Sequence, residues 1–147
     1  MFYFCYMRDM IIEAYKQSNL FGNNLGMILK SADKDGAHYQ MVITKEHMAT
    51  PLNAHGGVIA SMMDGTLGVA ALAHALERNH VVSTIEFKVN FIAPVFKGDT
   101  LDSKGAVIHS GNRIMVCEGS VYNQHGEIVA KGTGTFNSYP VEKARLF

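Results

Sequence analysis

Between residues 83 and 93 apolar and polar side chains alternate: Ile85, Phe87, Val89 and Phe91 sit between Thr84, Glu86, Lys88 and Asn90. A period of two predicts a strand with one buried and one wet face, and Pro94 ends it. Segments 101–108, 114–122 and 127–136 predict three more strands, separated by Ser110-Gly111-Asn112 and by NQHG at 123–126, both rich in turn-forming residues. Four strands joined by short turns predict an antiparallel meander, because parallel neighbours need long crossovers. Upstream, 27–31 and 39–44 predict a hairpin around the polar turn ADKDG at 32–36, and 45–54 reads as an irregular connection holding Pro51 and Asn53. Residues 11–20 (IIEAYKQSNL) predict a short amphipathic helix, stopped by Gly22 and the Asn23-Asn24 pair.

The longest apolar run, 56–76, predicts a helix with Asn79 just beyond it. Its length is close to the ~20 residues that span a bilayer. However, it carries Asp64, which is costly at mid-membrane, it is rich in Gly and Ala, and no basic cluster flanks it. A helix that is apolar all round also suits the centre of a protein core. The sheet needs an apolar partner for its inner face, and this helix is the only segment large enough. The expected fold class is therefore α+β, a curved antiparallel sheet wrapped around one long helix. The 147 residues predict one domain, 1–147, with about 1–21 as a helical N-terminal extension that either caps a pocket or, the favoured reading, pads an edge.

Composition narrows the function. Thirteen basic and 13 acidic side chains balance, which gives nucleic-acid binding little support. Cys5 and Cys117 form no CxxC pair, so a disulfide scaffold or zinc knuckle is not expected and the default is a reducing cytoplasm. Residues 1–10 lack a basic leader region and are interrupted by Arg8 and Asp9, unlike a signal peptide.

The segment that carries chemistry is Asn53-Ala54-His55-Gly56-Gly57, followed by an apolar run to Asp64. Glycines at a helix start let backbone approach a ligand closely. The first helical amides lack internal partners and sit at the positive end of the dipole, where they can polarise a carbonyl oxygen. Asp64 is the only acid between Glu46 and Glu77, and a carboxylate among Ala, Met and Gly is costly without partners. Taken singly, a Gly-Gly pair is usually a turn and a buried Asp usually a structural acceptor. His55 has no second ligand at helical spacing, so no metal site is expected. Gly132-Thr133-Gly134 has no following helix and is not a nucleotide loop. No GxSxG elbow occurs, and Cys117 is expected to pack in the sheet.

The His55-Gly56-Gly57 to Asp64 motif resembles the signature of the hotdog-fold acyl-CoA thioesterases, the phenylacetyl-CoA and 4-hydroxybenzoyl-CoA group. The stretch 84–99, with its long strand, Pro94 and Gly98-Asp99, is similar to the same family, and the likeness covers roughly 22–136. The resemblance implies a homodimer, or a dimer of dimers, with the active site between protomers and no cofactor. Within that site it implies Gly56 as oxyanion donor, Asp64 from the other protomer as base or nucleophile, and Thr84 helping to hold water. It further implies acyl-CoA as the partner, contacted by Asn53, His55 and Gly57, with Ser110, Gly111 and Arg113 near the CoA phosphates. An apolar lining is expected near Met62, Met63 and Phe91, residues that are equally ordinary core. One departure is Ala49, where relatives carry Asn or Gln; Asn53 or His47 is the possible substitute. Two alternatives stay open: a hotdog enoyl-thioester hydratase or dehydratase, and a non-catalytic acyl-CoA-binding module.

Overall fold

The computed structural model describes residues 2–144, with side chains from Tyr6 onward. The chain forms α1 (Phe2–Ser18), α2 (Leu20–Asn24), β1 (Ile28–Asp33), β2 (Gly36–Val42), α3 (Gly56–Leu76), β3 (His80–Phe91), β4 (Thr100–Ser110), β5 (Ile114–Tyr122) and β6 (Ile128–Pro140). Six antiparallel strands make one sheet in the order β1-β2-β4-β5-β6-β3, and α3 packs against all six. This is the expected hotdog arrangement.

Two features of the sheet depart from the sequence reading. The four later strands are not a simple meander. β3 pairs with β6 at an edge, and β4 lies between β2 and β5. The reason is the connection after Pro94. It is a packed loop rather than a tight turn, and Gly98 N–H donates to Ile43 O while Ile43 N–H donates to Asp99 O, which delivers β4 beside β2. The apolar face of β3 is also uncovered within this chain, with Phe87 and Phe91 exposed, and Ile85, at a slip in the register, is exposed as well.

The N-terminal helix differs as well. It begins at Phe2 rather than near residue 11 and stops at Ser18, where Asn19 caps α2 by accepting from Gly22 N–H through its side chain. Gly22 therefore lies inside a helix instead of ending one. Ile12 is buried against the core, and an Arg8–Glu77 ion pair of 3.1 Å ties α1 to the C-terminal end of α3.

The apolar helix is accounted for by enclosure. Met62, Met63, Leu67, Ala70 and Ala71 are fully buried, which gives the stretch an apolar environment without a bilayer. Its close seat on the sheet needs a row of glycines, Gly105, Gly119 and Gly132, which face one another across β4, β5 and β6. A Cβ on Gly132 would lie 2.8 Å from Met63 Cγ, and one on Gly119 would lie 3.0 Å from Leu67 Cδ2. With Met63 and Leu67 held against the sheet, neighbouring Asp64 is turned to the margin between α1 and β3.

The Gly98-Asp99 pair is architectural. Gly98 has φ of 93°, a conformation costly for other residues. The Asp99 carboxylate accepts from Phe96 N–H at 2.8 Å and from Gln124 Nε2 at 2.9 Å, joining two loops. Asp99→Ala is expected to cost about 2 kcal/mol by leaving both donors unpaired, read as a lower urea midpoint at unchanged slope.

Candidate functional site

α3 begins where His55, in extended conformation, acts as its N-cap. His55 Nδ1 accepts the Gly57 N–H at 2.8 Å, and a Cβ at 57 would crowd that nitrogen at 2.9 Å. Val58 N–H is taken by His55 O. The Gly56 N–H has no hydrogen-bond partner among the described residues and stays available at the positive end of the helix. Phe91 lies over it, 3.2 Å from where a Gly56 Cβ would stand. Each glycine thus has its own reason: one makes room for the cap, the other for an aromatic ring.

Asp64 lies two turns further on, half-buried. Desolvation raises its proton affinity above the usual carboxylate range, opposed in part by a hydrogen bond from Thr84 Oγ1 at 3.5 Å. No basic group offsets the burial. Thr84 reaches Asp64 through a bulge. The β3–β6 register slips between Thr84 and Glu86, so Thr84, opposite Phe136, shares the helix-facing side with Phe87, opposite Gly134. Strict alternation had placed Thr84 on the wet face with Glu86 and Lys88.

Two cavities meet at Asp64. One, of about 270 Å³, runs between α1, α3 and β3 and includes Ile11, Tyr15, Gly68, Leu72, Val81 and Thr84 in its wall. The other, of about 170 Å³, lies among Asn19, Phe21, Ser61 and Phe87. Tyr15 borders both. Burial lifts the Tyr15 phenol above its usual range, and the nearby Asp64 carboxylate adds to the effect. Asn19 Nδ2 donates to Tyr15 Oη at 3.3 Å. A wider groove of about 770 Å³ on the far side of the sheet is bordered by Lys88, Lys104, Lys131 and Glu118, and Asp64 does not reach it.

Other sequence-predicted residues fall elsewhere. Met62 and Met63 are fully buried core and do not border either cavity at Asp64. His47 is buried, accepting Thr44 N–H through Nδ1, so it is a loop brace rather than a substitute in the site. Asn53 closes the same loop by accepting Ala49 N–H on its carbonyl, and its side chain is exposed. Ser110, Gly111 and Arg113 form the β4–β5 turn near the C-terminal end of α3, where Arg78 donates to Gly111 O. They are not gathered with Asp64 in one protomer. Cys117 packs in the sheet as expected, its thiol pushed up to about 12 by burial.

The profile of the thioesterase superfamily matches residues 53–130, which contain both the Gly-Gly cap and Asp64. The chain belongs to the thioesterase superfamily. Among its relatives in the family, the medium/long-chain acyl-CoA thioesterase YigI of Escherichia coli (strain K12) is 26% identical over 132 residues, covering 79% of this chain and 83% of that protein. The acyl-coenzyme A thioesterase PaaI of the same organism is 29% identical over 106 residues, covering 72% and 73%. The solved E. coli PaaI structure superposes with a TM-score of 0.83 over 90% of this chain and 93% of that one, at 23% identity, and shares the fold.

Sequence reasoning missed Ile11 and Tyr15. Their i, i+4 spacing, with Ser18 three further on, places them on one helix face, but the site they face lies far along the chain.

The burial of Asp64 has a consequence for stability. A carboxylate with a raised folded-state pKa loses stability as pH rises from its unfolded value through the folded one. Asp64→Asn is therefore expected to be more stable than wild type at neutral pH, with the gap closing below pH 3.8. Paired urea titrations at the two pH values check this; an equal or less stable variant at neutral pH contradicts it.

Proposed function

We propose that this protein hydrolyses acyl-CoA thioesters to free acid and CoA in a site shared by two protomers. The single observation that supports this most is the pairing of an unpartnered Gly56 N–H with a desolvated Asp64 on the same helix. Eight residues of helix separate them by about 12 Å, too far for both to act on one carbonyl within one protomer. A second copy related by a two-fold axis brings Gly56 of the partner subunit to the Asp64 of the first.

The exposed row on β3 supports that copy. A 12-residue edge strand bearing Ile85, Phe87 and Phe91 is an exposed pairing template, and adding an antiparallel β3 from a second chain would cover it. Covering it would also exclude water from Asp64 and strengthen the electrostatics of the site.

In the reaction, the thioester oxygen accepts the Gly56 N–H of the partner subunit while water attacks the carbonyl carbon. Asp64 takes the water's proton, its raised affinity making it a better base near neutral pH. Thr84 holds the carboxylate in place. The tetrahedral intermediate collapses, the C–S bond breaks, and the proton passes to the departing thiolate. The acyl-CoA thioesterases among its relatives support the substrate class.

Asp64→Asn is expected to lose on the order of 10²–10⁴-fold in kcat. Gly56→Pro removes the donor at a helix position that tolerates proline, preceded by an extended His55 that suits it, and the exposed Phe91 ring, 3.2 Å from a Cβ there, has solvent to turn into. Each variant alone is expected to be nearly inactive. Unfolded together and refolded, they are expected to regain about a quarter of wild-type turnover, because half of the random dimers are mixed and each mixed dimer has one intact site. No recovery, with mixed dimers shown to form, contradicts a shared site.

A further inference from the structure

The 270 Å³ cavity at Asp64 has a direction. At one end lie Asp64 and Thr84, joined by their hydrogen bond. Along α3 the wall continues through Gly68 to Leu72, residues one turn apart on a single face, which spans about 12 Å. β3 accompanies it from Thr84 back to Val81, and opposite these stand Phe136 and Tyr139 of β6. The carboxylate end is therefore the reacting end, and beyond it the wall is mainly apolar, with Val69, Leu72, Val81 and Phe136 outnumbering the hydroxyls of Ser18 and Ser83.

The fourth wall is α1, which contributes Ile11, Tyr15 and Ser18. This helix lies outside the part of the chain that the family profile matches, residues 53–130. It is anchored by buried Ile12 and by the Arg8–Glu77 pair at the far end of α3. Of the two roles expected for this segment, capping a pocket and padding an edge, its placement favours the first, because it roofs the cavity that ends at the carboxylate.

We infer that this cavity holds the acyl group of the substrate and that α1 sets its size, giving selectivity for medium straight-chain or single-ring acyl groups over long chains. The inference rests on the thioesterase reading above. At roughly 30 Å³ for each water-sized unit, also about the size of a methylene, the cavity takes about nine such units. An acyl tail of about eight carbons or a single aromatic ring on a short spacer fills it, whereas a sixteen-carbon tail extends beyond the part that α1 covers. Ile11 and Gly68 are then specificity-determining residues, facing the tail from opposite walls.

The experiment is a kcat/KM profile over hexanoyl-, octanoyl-, decanoyl-, hexadecanoyl- and phenylacetyl-CoA for wild type, Gly68→Ala and Ile11→Ala, with folding of each checked by circular dichroism. A Cβ at Gly68 would stand 3.7 Å from Phe136, an ordinary contact, so the alanine takes up cavity space without displacing its neighbours. Wild type is expected to peak at octanoyl-CoA or phenylacetyl-CoA. Gly68→Ala is expected to raise the hexanoyl-to-decanoyl ratio about tenfold, and Ile11→Ala to lower the octanoyl-to-hexadecanoyl ratio about tenfold. Wild type that accepts hexadecanoyl-CoA as well as octanoyl-CoA overturns the inference, as do profiles unmoved in both folded variants, and either result leaves the thioesterase reading standing. Hydrolysis of none of the five by wild type overturns that reading, and the pocket assignment with it.

Discussion

A half-buried carboxylate in an apolar helix, with one long hydrogen bond and no cation beside it among the described residues, is the constraint on which the rest of this structure turns. Such a group destabilises the fold at neutral pH, and nothing in the core requires it. Thr66, half a turn away, shows what a structural polar group looks like here: its hydroxyl donates to Met62 O at 2.7 Å and lies 2.8 Å from Ser103 Oγ, fully buried and satisfied. Asp64 has no comparable partners and borders open cavities instead.

The architecture around it serves its position. The glycine row lets α3 sink onto the sheet at Met63 and Leu67, which fixes the rotation of the helix and presents Asp64 to the seam between α1 and β3. The bulge in β3 turns Thr84 toward the carboxylate without moving Phe87 and Phe91 off the helix side. The His55 cap consumes the Gly57 N–H and leaves that of Gly56 unused. A donor and a base are thus made by one helix but kept apart by its length, a geometry that a second copy resolves.

The central helix, the hairpin, the later strands and the Gly-Gly to Asp64 spacing were legible in the sequence because each rests on local chemistry. Strand order was not. The β3–β4 connection contains proline and glycine, as turns do, and only its hydrogen bonds to Ile43 show that it carries β4 across to β2. The alternation in β3 was read as a buried face, yet a period of two reports that a face is apolar and says nothing of which chain covers it. The bulge that reorients Thr84 leaves no composition signal at all. Tyr15 and Ile11 were recognisable as a helix face, but their partner, Asp64, lies 49 residues beyond Tyr15, and no spacing rule links the two.

In the proposed reaction, one carbonyl is activated by two chains at once. A crystal structure with a ketone analogue of an acyl-CoA, in which a methylene replaces the thioester sulfur, would show both contacts together. The ketone oxygen is expected within hydrogen-bond distance of Gly56 N from one chain, with Asp64 of the other beside the carbonyl carbon. A ketone bound away from Asp64, or held by groups of a single chain, would contradict it.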